Sequence, residues 1–111
     1  MSMPLCNQPV TLYRKGKEGI TRLVIRDALY YHTDYRSRDN LGEHRRRDFL
    51  LIVPGGRIVP AIGDRVIEGL GPKKIDWDTF RPGNIHGLGE VGYVNTTYLG
   101  GKVHHYEAGR E

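Results

Sequence analysis

Residues 93–108 read YVNTTYLGGKVHHYEA. Two runs rich in β-branched and aromatic residues flank a glycine pair, and a connection made of Gly100 and Gly101 suits a tight hairpin whose central residues need positive φ. The spacing predicts one strand over 93–99 and a second over 102–108. Outward from that hairpin the chain repeats the same grammar. PVTLYRK (9–15) alternates Val10 and Leu12 with polar neighbours, ITRLVIRDALYY (20–31) is a longer run, and RDFLLIV (47–53) and RVIEG (65–69) follow. Turn signals separate them at 15–19, 54–56 and 62–64.

Fifteen glycines and six prolines scattered between these runs argue against long helices, because glycine costs a helix interior about 1 kcal/mol and proline about 3. The pattern predicts an all-β fold, a small antiparallel β-barrel or sandwich of about six strands with one long basic loop. A chain of 111 residues suits one domain over 1–111. The polar stretch 34–47 has no apolar face and reads as a long loop. The segment 70–89 is irregular but holds Trp77 and Phe80, so it is expected to pack on the barrel. The expected core comprises Leu23, Val24, Ile25, Phe49, Leu51, Val53, Val66 and Val94.

No apolar stretch approaches the length that spans a bilayer, and the start MSMPLCNQPV does not resemble a secretory signal. A soluble protein made in a cytoplasm, with no membrane partner, is expected. Asn95-Thr96-Thr97 matches a glycosylation acceptor, which has no meaning without secretion. Cys6 is the one cysteine, so an internal disulfide and a cysteine-based zinc site both lack ligands.

Seventeen Lys and Arg against thirteen Asp and Glu give a net charge of +4. Most of that excess lies in RSRDNLGEHRRR (36–47), where Arg36, Arg38, Arg45, Arg46 and Arg47 face only Asp39 and Glu43. Guanidinium groups pair bidentately with phosphate oxygens, so this stretch is the candidate contact to DNA or to a neighbouring subunit. Its plain alternative is a solvated segment whose charges guard DFLLIV against aggregation.

Other motifs carry less. GLGEVG (87–92) has the glycine spacing of a dinucleotide loop, but strand-forming YVNTTY follows where a helix is needed. Adjacent His104 and His105 are expected on opposite faces of a strand, and His32, His44 and His86 have no fixed spacing to them, so no metal site is expected. Ser37, Thr96, Asp64 and a histidine form no recognisable nucleophile and base arrangement, so no catalytic residue is assigned and no enzyme is expected. Asp64 reads as a turn residue bonding nearby backbone. No cofactor is implied.

Taken in order, VTLYRK, TRLVIRDALYYHTD, a polar insertion, DFLLIVP, IGDRVIEGLG and VNTTYLGGKVHHYEAG resemble the small minor capsid or head-closure proteins, also called stoppers or head-tail connectors, of long-tailed bacteriophages and prophages of Gram-positive bacteria. The likeness covers about Pro9 to Gly109. It rests on the apolar strand ending at Pro54, on Gly63-Asp64 followed by Val66, Ile67 and Gly69, and on the closing hairpin with Gly100, Gly101, His105 and Tyr106. The chain departs from the family in the short GGRIVPAI link (55–62) and in Tyr30-Tyr31, where a tryptophan is usual nearby.

The resemblance implies a structural virion protein of the phage neck, at the head-tail interface. It implies a homo-oligomeric ring, its subunit number a multiple of six, with portal and adaptor rings above and a tail-joining protein below. Such a ring closes the exit channel over packaged double-stranded DNA and presents the tail attachment surface, and the arginine stretch would face the channel or a subunit seam. The alternatives are a tail terminator or tail-joining protein and a stand-alone nucleic-acid-binding β-barrel. The last would need aromatics interleaved with basic residues, for which Tyr30, Tyr31 and Tyr35 are the candidates.

Overall fold

The computed structural model describes residues 6–39, 42–56 and 58–110, with the side chains of 33–48 outside the description. Seven strands run through the described residues: β1 (Gln8–Gly16), β2 (Gly19–Asp39), β3 (Gly42–Pro54), β4 (Arg65–Glu68), β5 (Gly89–Glu90), β6 (Tyr93–Leu99) and β7 (Lys102–Gly109). All pairings are antiparallel and no helix occurs among the described residues. The fold class is therefore all-β, one curled sheet of order β5-β4-β1-β2-β3-β7-β6.

β2 shapes the sheet. Residues 19–28 pair with β1, from Gly16↔Gly19 to Gln8↔Ala28, whereas residues 29–39 pair with β3, from Leu29↔Ile52 to Asp39↔Gly42. Each half of β2 thus has a ladder on one edge only, and the resulting stagger is what a sheet needs in order to curl towards closure. A register shift between Gln8 and Val10 lets β1 turn with it. The Tyr30 amide, just beyond the end of β1, donates to Oε1 of Gln8 at 3.0 Å. That side chain extends the ladder by one step.

Closure comes from chain continuity. β5 and β6 stand at opposite ends of the sheet order yet are separated by two residues, Val91 and Gly92. Gly63 donates to the Val91 carbonyl and Val91 donates to the Asp64 carbonyl, both at 2.8 Å, while Gly92 donates to the Gly109 carbonyl at 2.7 Å. The two residues bond to the β4 side and to β7 at once. Gly89 sits where a Cβ would lie 2.4 Å from the Phe49 ring, so only glycine lets β5 approach β3 this closely.

The interior holds Val10, Leu12, Ile25, Ala28, Tyr30, Phe49, Leu51, Val53, Val66, Val91, Tyr106 and Ala108. Of the expected core, Leu23 and Val94 pack against this cluster from partly buried positions. Val24 instead lines an open cleft. β1 is buried on both faces from Val10 to Tyr13, although its sequence alternates. The reason is the segment 70–89, which covers the outer face. Tyr13 meets Phe80 edge-on with ring centroids 4.8 Å apart, and Leu88, Ile67, Ile75, Trp77 and Ile85 complete a second cluster.

Arg65 fastens that cover. Its Nη1 donates to the Phe80 carbonyl at 2.6 Å and to the Trp77 carbonyl, its Nε donates to Glu90 at 2.9 Å, and its guanidinium lies 3.9 Å from the centre of the Trp77 ring. A buried guanidinium is tolerable only when its donors find partners, and these contacts occupy Nε and Nη1 while the Trp77 ring covers the face. The Tyr13 hydroxyl donates to the Pro72 carbonyl at 2.6 Å and the Thr11 hydroxyl to the Gly69 carbonyl at 2.8 Å, holding the start of the segment.

The stretch 34–47 differs from expectation. Instead of a loop it continues β2 and β3 as a two-stranded ribbon, with Asp34↔Arg47, Tyr35↔Arg46, Arg36↔Arg45 and Arg38↔Glu43 in register. Seven paired residues on each strand, at roughly 3.3 Å per residue, run on for about 23 Å past the last core positions. The radius of gyration is 14.9 Å, against about 13 Å for a compact domain of this length, and the long axis of 49 Å records the elongation. A polar ribbon needs no apolar face when its base is already clamped in the core by Tyr30, Phe49 and Leu51.

The closing hairpin forms as expected, with φ of 62° at Gly100 and 79° at Gly101. Its second strand holds a departure. Thr97 pairs with His105 and Tyr98 with Val103, so His104 is an extra residue, a β-bulge. The bulge cancels the alternation of His104 and His105, whose rings meet at 5.1 Å between centroids with their Nδ1 atoms 2.8 Å apart. The expectation that adjacency keeps the two imidazoles apart is corrected by this one inserted residue.

Two substitutions test these contacts. A Cβ at Gly55 would lie 2.2 Å from the Val103 carbonyl oxygen, a backbone atom on β7. Gly55→Ala is expected to cost about 1–3 kcal/mol, read as a lower urea midpoint with an unchanged slope; an unchanged midpoint would show that this end of β3 yields freely. Asp64→Ala removes the partner of Arg14 and of the Ala61 amide, and a loss of about 1–3 kcal/mol is expected in the same measurement.

Candidate functional site

The one-sided pairing of β2 leaves a cleft beside each half. Past the start of β1, a half-open cavity of about 590 Å³ is lined by Gln8, Tyr30, Tyr31, His32, Ile67, Glu68, His86 and Gly87. It lies beside β2 at residues 30–32, where the ribbon leaves the barrel. Beyond the last β2–β3 pair, a shallower cleft of about 240 Å³ is lined by residues 24–27, 53–56 and Ile58. The first is the candidate site, because it adjoins the segment carrying the arginines.

Its floor is rigid. Tyr30 is buried and its hydroxyl donates to the Gly87 carbonyl at 2.8 Å. Burial, and secondarily the Glu68 carboxylate, raise its ionisation well above the ordinary tyrosine value. Tyr30 therefore offers no exposed ring face. Tyr31, the next residue on the strand, points the other way and is 64 % exposed. His32 and His86 form an edge-on pair 6.5 Å apart on the cavity wall, and Gln8 donates to Glu68 at 3.3 Å. The wall is thus polar and aromatic, with one carboxylate.

Arg36 and Arg38 lie on β2 and Arg45, Arg46 and Arg47 on β3, brought into one ribbon by register although six residues of sequence separate the groups at their nearest. Their side chains, and those of Tyr35, Ser37 and His44, lie outside the described residues. The turn residues are distributed around the barrel instead. Pro54 ends β3 opposite His105. Gly63 and Gly69 bracket β4 with φ of 94° and 78°, and Gly69 donates to the Pro9 carbonyl at 2.7 Å.

Asp64 does bond nearby backbone, accepting from the Ala61 amide at 2.9 Å. It also accepts a two-pronged contact from Arg14, Nε to Oδ1 at 2.9 Å and Nη2 to Oδ2 at 2.7 Å. This hydrogen bonding, above all, lifts the Arg14 ionisation above its ordinary value. The contact ties β1 to the turn before β4, a structural duty. Sequence reading did not find Arg14, because nothing local marks a partner fifty residues away.

GLGEVG contains a sharp bend at Gly87, with φ of 80°, and then β5, so it opens a strand and no helix. Among the described residues no group of three or more His, Cys, Asp and Glu could hold a metal ion, and no helix is long and apolar enough to cross a membrane. Cys6 is buried, and its thiol pKa is raised by burial first and by Asp27 second. Compared with protein-family models, with curated proteins and with solved structures, the chain matches none.

Tyr30 gives the site a pH signature. The folded state keeps this phenol protonated to higher pH than the unfolded chain, whose tyrosines ionise near 10. Its contribution is complete below about pH 10 and is lost as pH rises from there towards the folded value. Tyr30→Phe is expected to cost about 0.5–1.5 kcal/mol at neutral pH and to make the alkaline fall in stability shallower. Tyr93, raised by partial burial and by Glu107, keeps part of that fall. An alkaline slope unchanged in the variant would remove Tyr30 from the account.

Proposed function

We propose that this chain is a structural subunit of a phage neck ring, closing the DNA exit channel between the portal and adaptor rings and the tail. The observation that carries the reading is the ribbon: a paired extension of β2 and β3 with five arginine positions, rooted in a rigid barrel. One such ribbon on a lone barrel would bind DNA weakly. Repeated around a ring, it becomes a basic collar in which each contact raises the effective concentration of the next. A β-ribbon also suits this use better than a loop, since its backbone is already ordered and loses less freedom on contact. The order of strand motifs resembling head-closure proteins supports the same role, and catalysis has no part in it.

A stand-alone binder of single-stranded nucleic acid is the second reading, favoured by the exposed Tyr31 beside the ribbon. Stacking surfaces for successive bases are the feature it needs, and Tyr30 is unavailable because it is buried.

The deciding experiment is cosedimentation with DNA-filled, tailless heads that lack this protein. Saturable binding to such heads, absent when the adaptor ring is missing, is expected. No binding to heads, together with salt-dependent binding of single strands by the isolated protein, would replace the neck reading with the second one. The combined substitution of Arg45, Arg46 and Arg47 by Ser is expected to change the stability of the isolated barrel by no more than roughly 0.5 kcal/mol per position while filled heads leak DNA. Heads that retain DNA and join tails with the variant would leave the ribbon without a channel role.

A further inference from the structure

The geometry points to a transition-metal site at the bulge of β7, in which the Nδ1 atoms of His104 and His105 chelate one divalent ion, Cu(II) most tightly. The reasoning begins with the bulge. In a regular strand the two rings would lie on opposite sides of the sheet. The inserted residue brings them to one side, edge to face, with Nδ1 to Nδ1 at 2.8 Å.

That distance suits two purposes. Without metal it is a hydrogen bond in which one Nδ1 carries the proton and the other accepts. With metal, imidazole nitrogens bind at about 2.0–2.1 Å, so two of them in neighbouring positions at a right angle lie roughly 2.9 Å apart. The existing separation is thus close to that of two neighbouring ligands on a tetragonal ion. Cu(II) prefers such geometry and stands highest among the divalent first-row ions for nitrogen ligands. Binding needs no net proton loss from a neutral pair: the donor ring passes its proton from Nδ1 to Nε2, and both Nδ1 lone pairs then face the ion.

The support is fixed in advance. The His104 carbonyl accepts from the Gly55 amide at 3.0 Å, and His105 pairs with Pro54 on one side and Thr97 on the other. Both imidazoles are half-buried, so an ion reaches them from solvent with positions left for water. Two protein ligands make an open site rather than a closed structural one.

The test is titration of the intact protein with CuCl2 in a weakly coordinating buffer, followed by calorimetry and the copper d–d absorption. One ion per chain is expected. His104→Asn and His105→Asn are each expected to weaken binding by on the order of tenfold or more, since even loss of an outer partner of a metal ligand costs 10–100-fold. Circular dichroism checks that each variant keeps its sheet. A second readout separates ligation from folding: Zn(II) added to 15N-labelled wild-type protein is expected to shift the Nδ1 signals of both histidines while the signals of His32 and His86 stay in place. Absence of copper binding, equal binding by the double variant, or a Zn(II) shift confined to His32 and His86 would overturn the assignment.

Discussion

The unequal pairing of β2 is the constraint from which the rest of the architecture follows. On one edge β2 pairs with β1 as far as Ala28, and on the other with β3 from Leu29 onward, so neither neighbour runs its full length. Flat strands in full register would leave two long open edges and no interior. The stagger instead curls the sheet until β5 and β6 come round to opposite margins of one gap, which two residues bridge. Both clefts sit where β2 lacks a neighbour, and the Gln8 side chain patches the first missing step. Site and fold therefore share one cause.

Around this frame the buried charges are arranged by strand alternation. Asp64 and Arg65 are consecutive, of opposite sign and nearly inaccessible, at 1 % and 9 % exposure. They do not pair with each other. Asp64 turns to Arg14 on β1, while Arg65 turns to Glu90 and to the carbonyls and ring of the covering segment. Each buried charge thus has a partner with solvent access: the Arg14 side chain is 40 % exposed and that of Glu90 48 %. This softens the desolvation cost that isolated buried pairs incur. The net effect is to fasten β1, the β4 turn and the segment 70–89 to one another, which apolar packing alone would not orient.

What could be read from the residues divides along physical lines. The final hairpin was legible because Gly100 and Gly101 supply a conformation other residues adopt only with strain. The apolar strands were legible from composition, and the cover from Trp77 and Phe80, which need a surface. The ribbon was not, because RSRDN and EHRRR have neither alternation nor strong strand propensity, and their pairing is inherited from a hairpin anchored elsewhere. β5 is two residues long and has no signature. The Arg14–Asp64 fork and the meeting of His104 with His105 depend on partners, in one case fifty residues distant and in the other created by a slip of one residue. Of the candidate site, the arginine positions were visible in the sequence; the adjoining cavity, assembled from four separate stretches, was not.

The ribbon also fixes how the molecule bears load. Both of its strands run straight into the barrel, β2 to lie along β1 and β3 to lie along β7. Antiparallel hydrogen bonds stand perpendicular to the strands, so tension on the ribbon along its own axis strains each of those ladders in shear, all rungs together. A sideways pull at the far end would instead peel the ribbon one rung at a time. The same protrusion is therefore stiff along its length and compliant across it, a mechanical anisotropy set entirely by strand direction.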